Sequence, residues 1–433
     1  MRPIGSWGRL SAPLHDLVHL HDPAHVAMQL ASARRPGLPY GMGRSYGDSC
    51  LNPDGVLWLT RGLDHLMAFD NATGRLVCEA GVLLRDIQRW AMPRGWHLPV
   101  TPGTQWVTVG GAIANDVHGK NQHRCGTFGD HVRHIRLART DGRLLECGPH
   151  LHPDWFHATV GGLGLTGVIV TTELQLQRVA GPWLDTETIP FSGLQAYVQL
   201  ADEAQRDWDH CVAWLDCMAH PQPRGLFLRA RPASEQDRQP KRSRQWRVPV
   251  TPPVSIVNRW TLRPLNAAYY HRGRGRSGRA VTHHESFHYP LDGLLEWNRL
   301  YGPAGFFQYQ CVLPGQAAPF ALQDLLHAIA RSGEGSVLAV LKRFATRPAA
   351  GLLSFVQPGI SLALDFPHRG QSTLRLLERL DTIVAQAGGR LYAAKDARMP
   401  SALFKAGYSE LGRFLPFRDP GIRSGLSQRL LES

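Results

Sequence analysis

Three glycine-dense segments crowd residues 41–167 of this 433-residue chain, and they limit its possible folds more than any other feature. The first is Gly41-Met42-Gly43-Arg44-Ser45-Tyr46-Gly47. The second runs from Thr101-Pro102-Gly103-Thr104 through Gly110-Gly111, Ala114 and Asn115 to His118-Gly119-Lys120-Asn121. The third is Gly161-Gly162-Leu163-Gly164-Leu165-Thr166-Gly167, followed by Val168. Glycines at this density let a backbone approach a ligand closely and turn consecutive N–H groups toward an anion. In the second segment a loop runs into a helix start, which suits pyrophosphate. None of the three joins a long apolar strand to a helix with an acidic residue about 20 positions on, so they do not form a Rossmann fingerprint. No GxxxxGK[ST] sequence is present either. The residues alone reach a phosphorylated cofactor held by neither of those rules.

The surrounding pattern is α+β. Short strand-like runs occur at 56–59 and 75–78, and 83–92 places Leu84, Ile87 and Ala91 on one helical face. A hairpin is expected at 135–147 around Asp141-Gly142, and a strand at 167–176. Further on, strands are expected at 212–215 and 306–313, and helices at 320–331 and 373–387, before a turn at Gly388-Gly389. Residues 231–282 are rich in proline and arginine and are expected to form mobile loops rather than strand or helix.

Composition excludes several classes. No apolar run is long enough to span a bilayer, and the first 30 residues make a poor secretory segment, so a cytoplasmic protein is expected. Seven scattered cysteines without CxxC read as reduced thiols rather than a zinc site. His118, His123, His131 and His134 match no metal-ligand spacing, and no metal is expected. The net charge of +13 points to an anionic partner. It is not clustered beside exposed aromatics in a nucleic-acid module, so nucleic acid is not the expected one.

These motifs carry a resemblance. PYGMGRSYGDSCLN (39–52), the stretch 101–132, GGLGLTGVI (161–169), 287–314, VLKRF (340–344) and GGRLYAAKDARM (388–399) resemble vanillyl-alcohol-oxidase-type FAD-binding flavoproteins. The similarity is strongest to the branch that oxidises polyprenylphosphoryl-ribose. It implies a two-domain PCMH-type fold: an FAD-binding domain at 1–183, a substrate domain on an antiparallel sheet at 184–387, and a segment, 388–433, returning to the FAD domain. It implies FAD contacts from Gly41, Met42, Gly43, Arg44, Ser45, Tyr46 and Gly47, from Thr101, Pro102, Gly103 and Thr104, from Gly110, Gly111, Ala114, Asn115, His118, Gly119 and Asn121, and from Gly164, Thr166 and Val168. Related sugar oxidases tether flavin through a histidine where this chain has Arg44, and no cysteine lies between 79 and 124, so non-covalent FAD is expected.

The resemblance also implies roles in the site. Oxidation of an alcohol by a flavin calls for positive charge beside the reduced ring and a group to take the hydroxyl proton. Lys395 is the expected cation, and His118 the expected proton acceptor because an imidazole can change charge near neutral pH. Lys120, Trp214, Tyr301, Gln308, Gln310, Lys342 and Lys395 are expected around the substrate; by strand alternation Gln308 and Gln310 share a face. Mycobacterial members carry a cysteine where this chain has Ala363, so thiol-directed inhibitors should fail here. Ser361 stands where an asparagine is common, which removes one sugar contact.

The implied reaction converts the 2′-hydroxyl of a polyprenylphosphoryl-β-D-ribofuranose to a ketone, the first half of an epimerisation to the arabinose donor. An NADH-dependent short-chain reductase would complete it. The alternative is a soluble alditol or aldonolactone oxidase. The basic stretches 241–248 and 272–279 suit peripheral contact with an anionic membrane, at about 1 kcal/mol per charge.

Overall fold

Polar–apolar alternation along 306–313 is realised in an eight-stranded antiparallel sheet. The structure, a computed structural model, describes residues 1–219, 222–234 and 245–432. The strands lie in the order Gly278–His283, Trp183–Ser192, Arg224–Pro232, His210–Asp216, Val340–Phe344, Gly359–Pro367, Phe306–Pro314 and Arg390–Leu391. One face buries Ala213, Leu215, Leu341, Leu362, Leu364 and Cys311 in a core shared with the helices Leu194–Asp207, Ala318–Ser332 and Gln371–Gln386. Each large apolar side chain so buried contributes about 1.5–3 kcal/mol. Successive strand residues point to opposite sides, so Trp214, Gln308, Gln310, Lys342, Ser361 and Asp365 all emerge on the other face. A chemically rich floor results from simple alternation.

The N-terminal residues form two smaller sheets. Leu14–His19 and Gly37–Tyr40 each pair in parallel with Val56–Leu59, and Arg2–Pro3 adds an antiparallel edge. Five antiparallel strands follow the order Leu66–Asp70, Arg75–Glu79, Val168–Gln175, Val132–Ala138 and Leu144–Cys147. The helix Leu84–Ala91 buries Leu84, Ile87 and Ala91 completely, as its spacing predicts.

The last residues of the chain pack against these sheets. Gly37 N–H donates to Gly421 O (2.9 Å) and Thr140 N–H to the Asp419 carboxylate (2.9 Å). Arg429 pairs with both Asp48 (2.9 Å) and Asp396 (3.0 Å).

Much of 231–282 is ordered, contrary to expectation. Trp246–Arg247 pairs with Leu294–Leu295, Gly278–His283 edges the large sheet, and Arg259–Arg274 is a helix. Asn258 caps that helix by accepting from Trp260 N–H (2.9 Å) and Thr261 N–H (3.2 Å), and the Thr261 hydroxyl answers Asn258 N–H (3.0 Å). Leu262, Asn266 and Tyr270 form its buried stripe, with the Asn266 amide donating to Asp216 (3.0 Å). Arginines and Pro264 mask this i, i+4 pattern in the sequence. Lys241 to Arg244 lie outside the described residues. Among the described residues no helix is long and apolar enough to cross a membrane.

Candidate active site

A cavity of about 1320 Å³ lies between the glycine loops and the polar face of the large sheet. The first loop forms its wall through backbone from Gly41 to Tyr46. Gly43 has φ +59°, and a Cβ there would meet the Tyr40 hydroxyl at 2.1 Å; a Cβ on Gly41 would meet Thr108 at 2.5 Å. The backbone N–H groups of Met42, Gly43 and Arg44 find no backbone acceptor among the described residues.

The helix start at Thr108 behaves differently. Val109, Gly110 and Gly111 N–H groups are already bound, to Val82 O (2.9 Å), Ala80 O (2.8 Å) and Thr108 Oγ1 (3.2 Å). Gly110 therefore serves close packing on Ala80, and Gly111 close approach to the Thr108 hydroxyl, more than anion binding. Several cavity-lining polar atoms are buried without a partner among the described residues: Arg44 Nε, Ser49 Oγ, Trp106 Nε1 and His118 Nδ1. Buried polar groups are normally satisfied, so these donors are set for a large polar ligand. The residues fit FAD.

The floor is strongly cationic. Lys395 lies in a turn fixed by Tyr392 N–H on Gln310 O (2.9 Å) and Lys395 N–H on Tyr392 O (2.9 Å). The Asp396 carboxylate accepts from Arg398 and Met399 N–H groups (3.0 Å each) and locks that turn. Lys395 Nζ sits 4.1 Å over the Tyr46 ring. Burial lowers Lys395 to about 8, with Asp365 opposing the shift and Lys342 adding to it. Burial likewise lowers Lys342 to about 8 and Lys120 to about 7. An anionic ligand would restore charge to all three.

Among the described residues, Asp365 is the one fully buried carboxylate lining the cavity, 1% exposed. It accepts from Gln308 Nε2 (2.8 Å), and burial pushes it up to about 7 against that hydrogen bond and the Lys395 charge. Sequence reading missed it. A signal existed, since an acid in the otherwise apolar run ISLALDF shares a face with Ser361 and Ala363. Asp292 was missed too; it accepts from Thr104 Oγ1 (2.7 Å) and Gln105 N–H (2.9 Å) beside Arg44. Trp7, from the extreme N-terminus, stacks under the Arg44 guanidinium at 4.1 Å.

His118 departs from its expected chemistry. Its Nε2 lies 3.1 Å from the Gln310 amide, and Phe344, Phe355 and Tyr392 box the ring at 5.0–5.6 Å. Burial first, then Lys342 and Lys395, hold its pKa well below the usual imidazole value. It is an uncharged hydrogen-bonding group at neutral pH, not one poised to change charge. Tyr301 does not line the cavity; it stacks on Phe306 (4.2 Å) in the core behind it.

Six of the expected cofactor contacts also lie behind the wall. Thr101 bonds Tyr289 (2.6 Å), Asn121 bonds Pro99 O (2.7 Å), Thr166 bonds Thr159 (3.1 Å), and Val168 is core. Gly119 and Gly47 permit tight packing on Asn121 and Asp396. Pro102, Gly103, Thr104, Ala114, Asn115, Gly164, Lys120, Trp214, Gln308, Gln310 and Lys342 do line it, with Gly41 to Tyr46. His123 and His131 each face a backbone carbonyl, at 2.9 and 2.8 Å.

Comparison with known proteins agrees with this geometry. Residues 17–148 match the FAD binding domain family. Decaprenylphosphoryl-β-D-ribose oxidase of Mycolicibacterium smegmatis is 32% identical over 98% of this chain and 96% of its own length. The uncharacterized protein in the mprA 5′ region of Streptomyces coelicolor is 32% identical over 81% of this chain and all of its own. L-gulonolactone oxidase of Mus musculus matches more narrowly, 30% over 28% of each chain. A glycine cradle with orphaned donors, a cationic sheet floor and near full-length similarity converge: the chain is an FAD-dependent oxidoreductase of the decaprenylphosphoryl-β-D-ribose oxidase family.

Proposed function

We propose that the protein oxidises the 2′-hydroxyl of a polyprenylphosphoryl-β-D-ribofuranose to the 2′-keto sugar. The observation that carries this reading is the floor itself: Gln308, Gln310, Lys342 and Asp365 share one face of the large sheet, and Lys395 from the turn after its last strand and Lys120 from the second glycine segment join them in the same cavity. Bound FAD supplies the acceptor for the hydride leaving the ribose carbon. Gln308 and Gln310 orient sugar hydroxyls, and Lys120 and Lys342 offer charge to the phosphoryl group. Lys395 places positive charge where reduction builds negative charge. The test is anaerobic addition of a polyprenylphosphoryl-ribose analogue while following the flavin's visible band. Rapid bleaching supports the reading; bleaching by free aldonolactones alone refutes it.

Asp365 has the basicity suited to the hydroxyl proton, and His118 serves as a neutral hydrogen-bonding wall. An acid limb should then appear in kcat/KM near pH 7, because Asp365 must be ionised, and an alkaline limb near pH 8, where Lys395 loses its proton. Asp365→Asn should lower kcat by about 10²-fold and erase the acid limb. An unchanged acid limb in that variant would assign the proton elsewhere.

FAD is held without a covalent tether on this reading. Arg44 occupies the tethering position and stacks on Trp7. Acid precipitation should release all yellow colour into the supernatant; colour retained in the pellet refutes it.

The FAD lobe comprises 1–183 with 388–433, and the substrate lobe 184–387; the tail contacts at Gly37, Asp48 and Thr140 support that division. The keto product still needs a hydride to become the arabino epimer, and an NADH-dependent short-chain reductase is the class that would supply it. A lipid-linked substrate also requires the enzyme to work peripherally at a membrane.

A further inference from the structure

We infer that the outward face of the helix Arg259–Arg274, with the loop leading into it, docks on an anionic lipid bilayer and passes the lipid-linked substrate to the cavity mouth. This rests on the reading of the substrate as polyprenyl-linked. Six large apolar side chains are exposed within twenty residues here: Val250, Val254, Ile256, Trp260, Leu265 and Tyr269. Val254 and Trp260 are 71% and 75% exposed. Large exposed aromatics are uncommon on a surface that faces only water, and contiguous ones mark an interaction site.

The helix shows which way this surface faces. Leu262, Asn266 and Tyr270 turn inward, so Trp260, Pro264, Leu265 and Ala268 turn outward. Beside them stand Arg259, Arg263, Arg272 and Arg274, all exposed. Residues 245–284 hold seven arginines and no aspartate or glutamate. Arginines at the C-terminal end offset the helix dipole and need no further reason. Arg259 and Arg263 lie in the N-terminal half, where that dipole opposes them, so an external anion is the better account. An apolar face rimmed with arginine and carrying tryptophan is the pattern of an interfacial helix. A protein partner of mixed charge would leave the one-signed rim unexplained.

The surface is continuous with the site. Ile256, Leu265 and Tyr269 are exposed yet also line the cavity, and the Tyr269 ring lies 4.6 Å from Trp214 on the sheet floor. An unbroken apolar strip therefore leads from the sugar-binding floor to the outside. A polyprenyl tail leaving the cavity along it stays against hydrocarbon until it reaches lipid.

The test is co-sedimentation of the FAD-loaded protein with phosphatidylcholine vesicles, plain or containing about one-third phosphatidylglycerol. Trp260→Ser with Val254→Ser should lower partition onto the anionic vesicles by about tenfold. Arg259→Gln with Arg263→Gln should lower it comparably at low salt and little at high salt. Neither pair lines the cavity, so both variants should keep their flavin and oxidise a short-chain soluble analogue at the wild-type rate, while losing rate on vesicle-embedded substrate. Phe320→Ser, which removes an exposed aromatic from another helix, should change nothing. Equal vesicle binding by wild type and both variants overturns the proposal. So does a loss confined to binding of a second protein or a second copy of this chain. If the wild type docks through this face yet oxidises neither form of the substrate, the assigned reaction fails while the docking surface stands.

Discussion

Lys395→Ala should lower the rate of substrate-dependent flavin bleaching by roughly 10²–10³-fold while the protein still purifies yellow. The lysine is held by backbone geometry rather than by its own side chain: Tyr392 N–H reaches Gln310 O, and Asp396 ties the following turn to Arg429. Removing the ammonium therefore leaves the turn in place and deletes a charge facing Asp365 and Tyr46. The loss should fall mainly on kcat, because positive charge matters most when the flavin gains electrons. A rise in KM alone, at unchanged kcat, would recast Lys395 as a phosphate-binding residue. The alkaline limb of the pH profile should vanish with it. Stopped-flow kinetics under anaerobic conditions measures both quantities.

Gly47→Ala should destabilise the protein by about 3 kcal/mol or more and reduce flavin occupancy. The glycine's φ of −109° is open to any residue, so the effect is one of space and not of backbone strain. A Cβ would stand 1.8 Å from Asp396 O and 2.8 Å from Ala397 Cα. Backbone meets backbone there, and neither side can yield cheaply. The Asp396 turn is anchored through Arg429 to Asp48, one residue beyond the glycine. Gly412→Ala is the control: a Cβ there meets nothing within 4 Å, and the change should be neutral or slightly stabilising. Thermal unfolding with flavin fluorescence as the probe separates the two. Equal melting of both variants would show that the 396 turn has slack.

Gly47 also illustrates how far the sequence can be read. Its place in a glycine-rich motif marks a close approach, yet the partner in that approach is the tail of the chain and not the cofactor. Thr101, Gly119, Asn121, Thr166 and Val168 share the fate of support residues: each stands next to a lining residue and braces it. One-dimensional proximity to a motif does not distinguish the wall from the brace behind it. Gln308 and Gln310 were legible because strand alternation is strict, and the same rule would have exposed Asp365. Tyr301 sat outside any such rule, and stacking on Phe306 drew it into the core.

The helix Arg259–Arg274 was hidden for another reason. Its capping box and its buried stripe at Leu262, Asn266 and Tyr270 were present, but outward arginines and prolines dominated the composition. Arginine is a good helix former, so charge was a poor guide to disorder.

By itself the sequence determined the loops, the strand alternation and the family. Those follow from local chemistry: glycine where backbone must come close, a period of two where a sheet has two faces. The charge state of the site was decided only by the tertiary structure. Burial beneath Phe344, Phe355 and Tyr392, with two ammonium groups nearby, takes His118 out of the neutral range, and burial beside Gln308 lifts Asp365 into it. Desolvation depends on everything packed around a group, and residues more than two hundred positions apart do that packing here.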